Sequence, residues 1–140
     1  MARPASSHPT DGELEILRVL WGRGPASLGD VCDALREERD VATTTVATML
    51  RVMVDKGLVR RKRSGRGHQW SAAVTHAAAA RSMVSKLVDN VFDGSAGQLV
   101  AHLVEGGRLS SAELGELRAL IDSSSKKSAR KGAKMPRTQS

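Results

Sequence analysis

Thr43, Thr44, Thr45 and Thr48, followed by Arg51, place short hydroxyl side chains and one guanidinium at helical spacing. Small side chains let a helix lie deep in the major groove of DNA. There a threonine can donate to a phosphate, touch a base edge or meet a thymine methyl group. Thr43 also suits a helix N-cap, so two uses stay open at that position. Arg51 suits a guanine edge, a phosphate or plain solvent. A few residues on, Arg60, Arg61, Lys62 and Arg63 run consecutively, and Arg66 and His68 follow across a glycine-bearing turn. Six Lys/Arg fall between Lys56 and Arg66, and no acidic residue occurs from Lys56 to Lys86. A hairpin dense in cations can straddle a phosphate backbone while a neighbouring helix enters the groove. Lysine and arginine on an edge strand also discourage strand pairing, but the threonine helix beside this one favours phosphate. The candidate contacts are therefore Thr43, Thr44, Thr45, Thr48 and Arg51 on the helix. On the hairpin they are Arg60, Lys62, Arg63, Arg66 and His68.

Other chemistry finds no footing. There is no phosphate-binding GxxxxGK[ST], no zinc-binding HExxH and no dinucleotide GxGxxG. His8, His68, His76 and His102 are scattered, and none has a second histidine or a cysteine at metal-ligand spacing. Cys32 is the single cysteine, which allows no internal disulfide and reads as a buried thiol. The sequence thus predicts no enzyme, no cofactor and no metal. Trp21, Trp70 and Phe92 are the only aromatic residues, too few for stacking single strands.

Net charge is a weaker guide than its distribution. The formal +7 divides into +3 over residues 1–74, −2 over 75–123 and +6 over 124–140. Most of the excess lies in a low-complexity stretch and would exist without any nucleic-acid partner.

The elements that must position the candidates can be read locally. Thr10 with Glu13 has the form of a capping box, and a first helix is predicted from about Asp11 to Trp21. Leu14, Leu17, Val19, Leu20 and Trp21 form its apolar side, and Gly22, Gly24 and Pro25 stop it. Ser27 with Asp30 opens a second helix whose inner face is Leu28, Val31, Cys32 and Leu35. A third helix is predicted from about Thr43 to Lys56, with Val46, Met49, Leu50 and Met53 inward and Gly57 as its left-handed stop. Leu58 to Ser64 and His68 to Ala72 read as two strands about Gly65-Arg66-Gly67, with Trp70 inward. Three helices and a basic hairpin give a mainly α fold with one small hairpin, a winged helix-turn-helix.

Beyond Thr75 the pattern is helical again. One stripe carries Met83, Val84, Leu87, Val88, Val91 and Phe92; a second helix carries Leu99, Val100, Leu103 and Val104. A third opens at a Ser110/Glu113 capping box and carries Leu114, Leu117, Leu120 and Ile121. The winged helix is complete by residue 74, so these stripes need another surface to bury them. A two-fold dimer through Leu87, Val91, Leu99, Leu103, Leu114, Leu117 and Ile121 would supply it and present two recognition helices to a palindrome. The expected organisation is a flexible arm (1–9), a winged helix (10–74), a helical dimerisation segment (75–123) and a disordered basic tail (124–140). No signal peptide and no bilayer-spanning run is apparent, so a soluble cytoplasmic protein without membrane contact is expected.

Together these residues resemble the penicillinase-repressor family of the BlaI/MecI type, which also includes CopY-like members. The matching elements are Glu13-Leu14-Glu15-Ile16-Leu17, Leu20-Trp21, Gly24-Pro25-Ala26-Ser27, Thr44-Thr45-Val46, Leu50 and Lys56-Gly57-Leu58-Val59. A Gly65-Arg66-Gly67-His68 wing completes the run, with Trp70 where the family usually has tyrosine. The resemblance spans residues 10–122. It implies a homodimeric repressor of palindromic operators of TACA…TGTA type, released when a sensor-transducer protease triggers cleavage of an Asn-Phe bond. Here the chain departs from the pattern. Its only Asn is Asn90 and its only Phe is Phe92, with Val91 between them, and the cut position corresponds to His102-Leu103. The cysteine clusters of the copper-responsive members are also missing.

Overall fold

Reciprocal capping starts the first two helices of the computed structural model, which describes residues 8–134, with side chains from residue 8 to residue 125. At α1 (Asp11–Arg23) the Thr10 hydroxyl accepts from the Glu13 N–H, and the Glu13 carboxylate accepts from the Thr10 N–H at 2.9 Å. At α2 (Leu28–Arg36) Ser27 and Asp30 repeat the exchange. Each device satisfies backbone donors that the first turn leaves open. By contrast, α3 (Thr43–Asp55) begins after Ala42, whose side chain cannot cap, and Thr43 is its first helical residue. Lys56 closes α3, and Gly57 follows at φ 80°, the left-handed conformation that glycine adopts without strain.

Strands β1 (Val59–Ser64) and β2 (Gly67–Ala72) pair antiparallel, with Ser64 opposite Gly67. The turn between them is therefore the two residues Gly65-Arg66, with positive φ (59°) at Gly65 alone, as a type II′ hairpin requires. A short bridge ties this hairpin to the helices. Ala26 donates to the Trp70 carbonyl at 3.0 Å, and Trp70 donates back at 2.8 Å.

Ile16, Leu17 and Leu20 of α1, Val31, Cys32 and Leu35 of α2, and Val46, Leu50 and Met53 of α3 form the core with Ala26, Leu58 and Val59. Trp70 and Met49 pack against it, partly buried. The buried stripe of α1 is Glu13, Ile16, Leu17 and Leu20, so the expected apolar side is corrected: Ile16 is wholly buried and Leu14 only half-buried. Spacing of i, i+3, i+4 and i+7 starting from Glu13 selects that face.

Helices α4 (His76–Val91), α5 (Ala96–Glu105) and α6 (Ser111–Lys134) follow. Asp93 (φ 51°) and Gly94 (φ 83°) turn the chain before α5, and Ser110 with Glu113 forms the expected capping box before α6. The chain forms two compact units, residues 1–90 and 91–140. The helical segment expected to begin a separate unit at residue 75 is thus divided, because α4 packs with the winged helix. Trp21 Nε1 donates to the Val74 carbonyl at 2.9 Å, its ring meets His76 edge-on at 5.1 Å, and Ala79 is buried. Trp21→Phe removes the donor and leaves that carbonyl short of a partner. We expect a stability loss of about 1 kcal/mol and faster amide exchange in the first turn of α4.

Both chain ends also differ from expectation. Residues 1–7 of the expected arm lie outside the described residues, but Pro9 is buried and the His8 carbonyl accepts from Lys56 Nζ at 3.4 Å. Ser82 on α4 hydrogen-bonds His8 Nδ1. At the other end α6 continues to Lys134, through much of the stretch expected to lack structure. Alanine, lysine and arginine are good helix formers there, and the first proline is Pro136. Residues 135–140 lie outside the described residues. Among the described residues no helix is long and apolar enough to cross a membrane.

Candidate nucleic-acid interface

The core residues of α3 determine which face is left outside. With Val46, Leu50 and Met53 buried, Thr44, Thr45, Thr48 and Arg51 share the exposed side, and Thr43 is exposed at its start. All five expected helix candidates are therefore accessible on one element. Val52 stands on that side too, 42% exposed. Sequence reading passed over it because a valine in a helix reads as core; only the packing of Val46 and Leu50 shows that it faces out.

Both ends of this helix are held by cationic side chains. At its start Arg36 Nε donates to the Val41 carbonyl at 3.0 Å, and its Nη2 donates to Thr43 Oγ1 at 2.8 Å. At its end Lys56 Nζ meets Glu13 Oε1 at 2.7 Å, with side chains only 13% and 7% exposed. Burial pushes the Glu13 carboxyl up, but the Lys56 ammonium and the Thr10 donors outweigh this and hold it below the ordinary carboxylate range. Sequence reading gave Glu13 its capping role and missed the ion pair. Its position at the head of an otherwise apolar stripe was the available signal.

The hairpin sorts its cations by strand register. Side chains alternate across a strand, so Arg60 and Lys62, opposite Ser71 and Gln69, share one face. Arg61 and Arg63, opposite Trp70 and His68, share the other with Val59. The expected wing set is thus divided: Arg60 and Lys62 lie together, Arg63 and His68 on the reverse face, and Arg66 at the tip. All are exposed, and among the described residues none of the hairpin arginines or Lys62 is ion-paired with a carboxylate. Unpaired cations crowded on a short hairpin repel one another and gain from a polyanion. The His68 ring lies 6.1 Å from that of Trp70. Among the described residues no group of His, Cys, Asp and Glu could hold a metal ion.

Three helices, with α3 exposed beside a cationic hairpin, define a winged helix-turn-helix, an architecture of DNA-binding regulators. The penicillinase repressor family model matches residues 9–123, and the chain belongs to that family of DNA-binding transcriptional repressors, which are not enzymes. A protein described as an uncharacterized 16.5 kDa protein in the ptsI 3′ region of Latilactobacillus sakei is 27% identical over 112 residues, 80% of this chain and 77% of that one. The methicillin resistance regulatory protein MecI of Mammaliicoccus sciuri is 24% identical over 113 residues, covering 81% and 92% of the two chains. Among solved structures, Bacillus licheniformis BlaI, in its monomeric form in complex with the blaP half-operator, is 22% identical with a TM-score of 0.45. It covers 55% of this chain and 92% of its own.

Proposed function

We propose that this repressor acts as a homodimer on a palindromic double-stranded operator. In this reading α3 lies in the major groove with Thr43, Thr44, Thr45, Thr48 and Arg51 toward the DNA. Arg60, Lys62, Arg63, Arg66 and His68 of the wing follow the phosphate backbone. The observation that carries the dimer is what happens after Ala79: no described side chain beyond it is buried. Val84, Leu87, Val91, Val100, Val104, Leu114, Leu120 and Ile121 are all at least 38% exposed. Apolar surface on that scale calls for a partner, and a second copy related by a two-fold axis gives the symmetry that a palindrome mirrors. Leu99, Leu103 and Leu117, half-buried on the same helices, complete the proposed interface. Cleavage of an Asn-Phe bond by a sensor-linked protease forms no part of the proposal, because Val91 separates Asn90 from Phe92.

Sedimentation and footprinting of the full chain test this. We expect a dimer that protects both halves of a palindrome. Leu87→Asp combined with Leu117→Asp should yield monomers that bind a full site no better than a half-site. A monomeric wild type protecting one half-site would overturn the dimer, and absence of salt-dependent DNA retention would overturn the interface itself.

A further inference from the structure

The start of α3 is assembled in an unusual way for a helix carrying candidate DNA contacts. Helix-starting residues commonly use their own side chain to cap the first turn, and Ala42 cannot. The turn before α3 is instead held from the preceding helix. Arg36, the last residue of α2, reaches forward with two N–H donors, one to the Val41 carbonyl and one to the Thr43 hydroxyl. A lysine ammonium has no planar fork with which to hold both acceptors in fixed geometry. The bonds lie at the surface: Arg36 and Thr43 are both exposed, and among the described residues Arg36 has no carboxylate partner. The core of α3 is already supplied by Val46, Leu50 and Met53, so this clip is not what buries the helix.

Its chemical consequence falls on Thr43. A threonine hydroxyl has one proton and can accept through its oxygen. With Arg36 donating to that oxygen, the Thr43 proton is left to be given away.

We propose that Arg36 is a positioning residue of the DNA interface. By holding Val41 and the Thr43 oxygen, it presents the Thr43 hydroxyl as a donor to an acceptor on the duplex. This rests on the DNA-binding reading above and deepens it. Arg36 acts through Thr43 and not through its charge, which separates it from the wing cations.

The test uses the full chain and a duplex selected from a random-sequence library by the wild-type protein. Affinity is measured over a salt series for wild type, Arg36→Lys, Thr43→Val, Thr43→Ser and the double variant Arg36→Lys/Thr43→Val. Arg36→Lys keeps the charge and loses the fork. It should weaken binding about tenfold, as one lost charge-free hydrogen bond to DNA would, with an unchanged salt slope. Thr43→Val should lose the same factor, Thr43→Ser should bind like wild type, and the double variant should bind no worse than Thr43→Val alone. Wild-type affinity in Arg36→Lys, additive losses in the double variant, or a shallower salt slope would each overturn the proposal. Thermal unfolding of each variant separates a general loss of fold, which would lower every affinity without the non-additivity. Failure of the wild type to select any duplex would instead remove the DNA-binding reading on which the proposal stands.

Discussion

Lys56→Met is expected to destabilise the winged helix by about 3 kcal/mol, read by urea unfolding, although the substituted side chain is nearly as long as the original. The methionine leaves Glu13, almost wholly buried, facing the end of α3 without its ammonium partner. Removing one member of a buried ion pair strands the other charge, and that penalty exceeds what the intact pair contributes. Adding Glu13→Gln should recover most of the loss. Glutamine can still accept from the Thr10 N–H in the capping box and carries no charge. If the double variant is as unstable as Lys56→Met, the loss comes from packing and not from the stranded carboxylate.

The same pair sets a pH dependence with a definite sign. Because Glu13 is held below the ordinary carboxylate range when folded, its contribution is complete above that range. It is lost as the pH falls through the lowered folded value, since the unfolded chain then binds the proton first. Lys56→Met removes the ammonium and keeps the burial, so its acid limb should be shallower than that of the wild type.

The second large effect concerns the wing. Arg60→Ala, Lys62→Ala and Arg63→Ala together should weaken DNA binding by roughly 100-fold or more, at about 1–1.5 kcal/mol for each charge-assisted contact. The plot of log affinity against log salt should flatten by about 0.9 for each phosphate contact removed. Discrimination between related sequences should survive, because phosphate contacts position without reading bases. Register refines the experiment. Arg60→Ala/Lys62→Ala strips one face of the hairpin and Arg61→Ala/Arg63→Ala strips the other. The double variant with the larger fall in slope identifies the face that meets the backbone. Unchanged affinity and slope in the triple variant would withdraw the wing from the interface.

Much of this molecule is written in neighbouring residues. Thr10/Glu13, Ser27/Asp30 and Ser110/Glu113 each begin a helix through a reciprocal exchange confined to one turn. The Gly57 stop and the two-residue hairpin turn at Gly65-Arg66 depend on backbone conformations that glycine makes accessible. Those features, with the spacing of Val46, Leu50 and Met53, are local, so the winged helix and the exposed threonines of α3 can be read from the chain alone. The same applies to the chemistry of the hairpin, whose cations are consecutive. Only the tertiary structure decided what depends on distant partners. Glu13 meets Lys56, Trp21 meets Val74, and Ala26 pairs with Trp70 across long stretches of sequence, and no short pattern encodes those encounters. They arise when the helices pack. That packing makes Glu13 half of an ion pair as well as a cap, joins α4 to the winged helix, and turns Val52 outward from a helix whose other apolar residues face in.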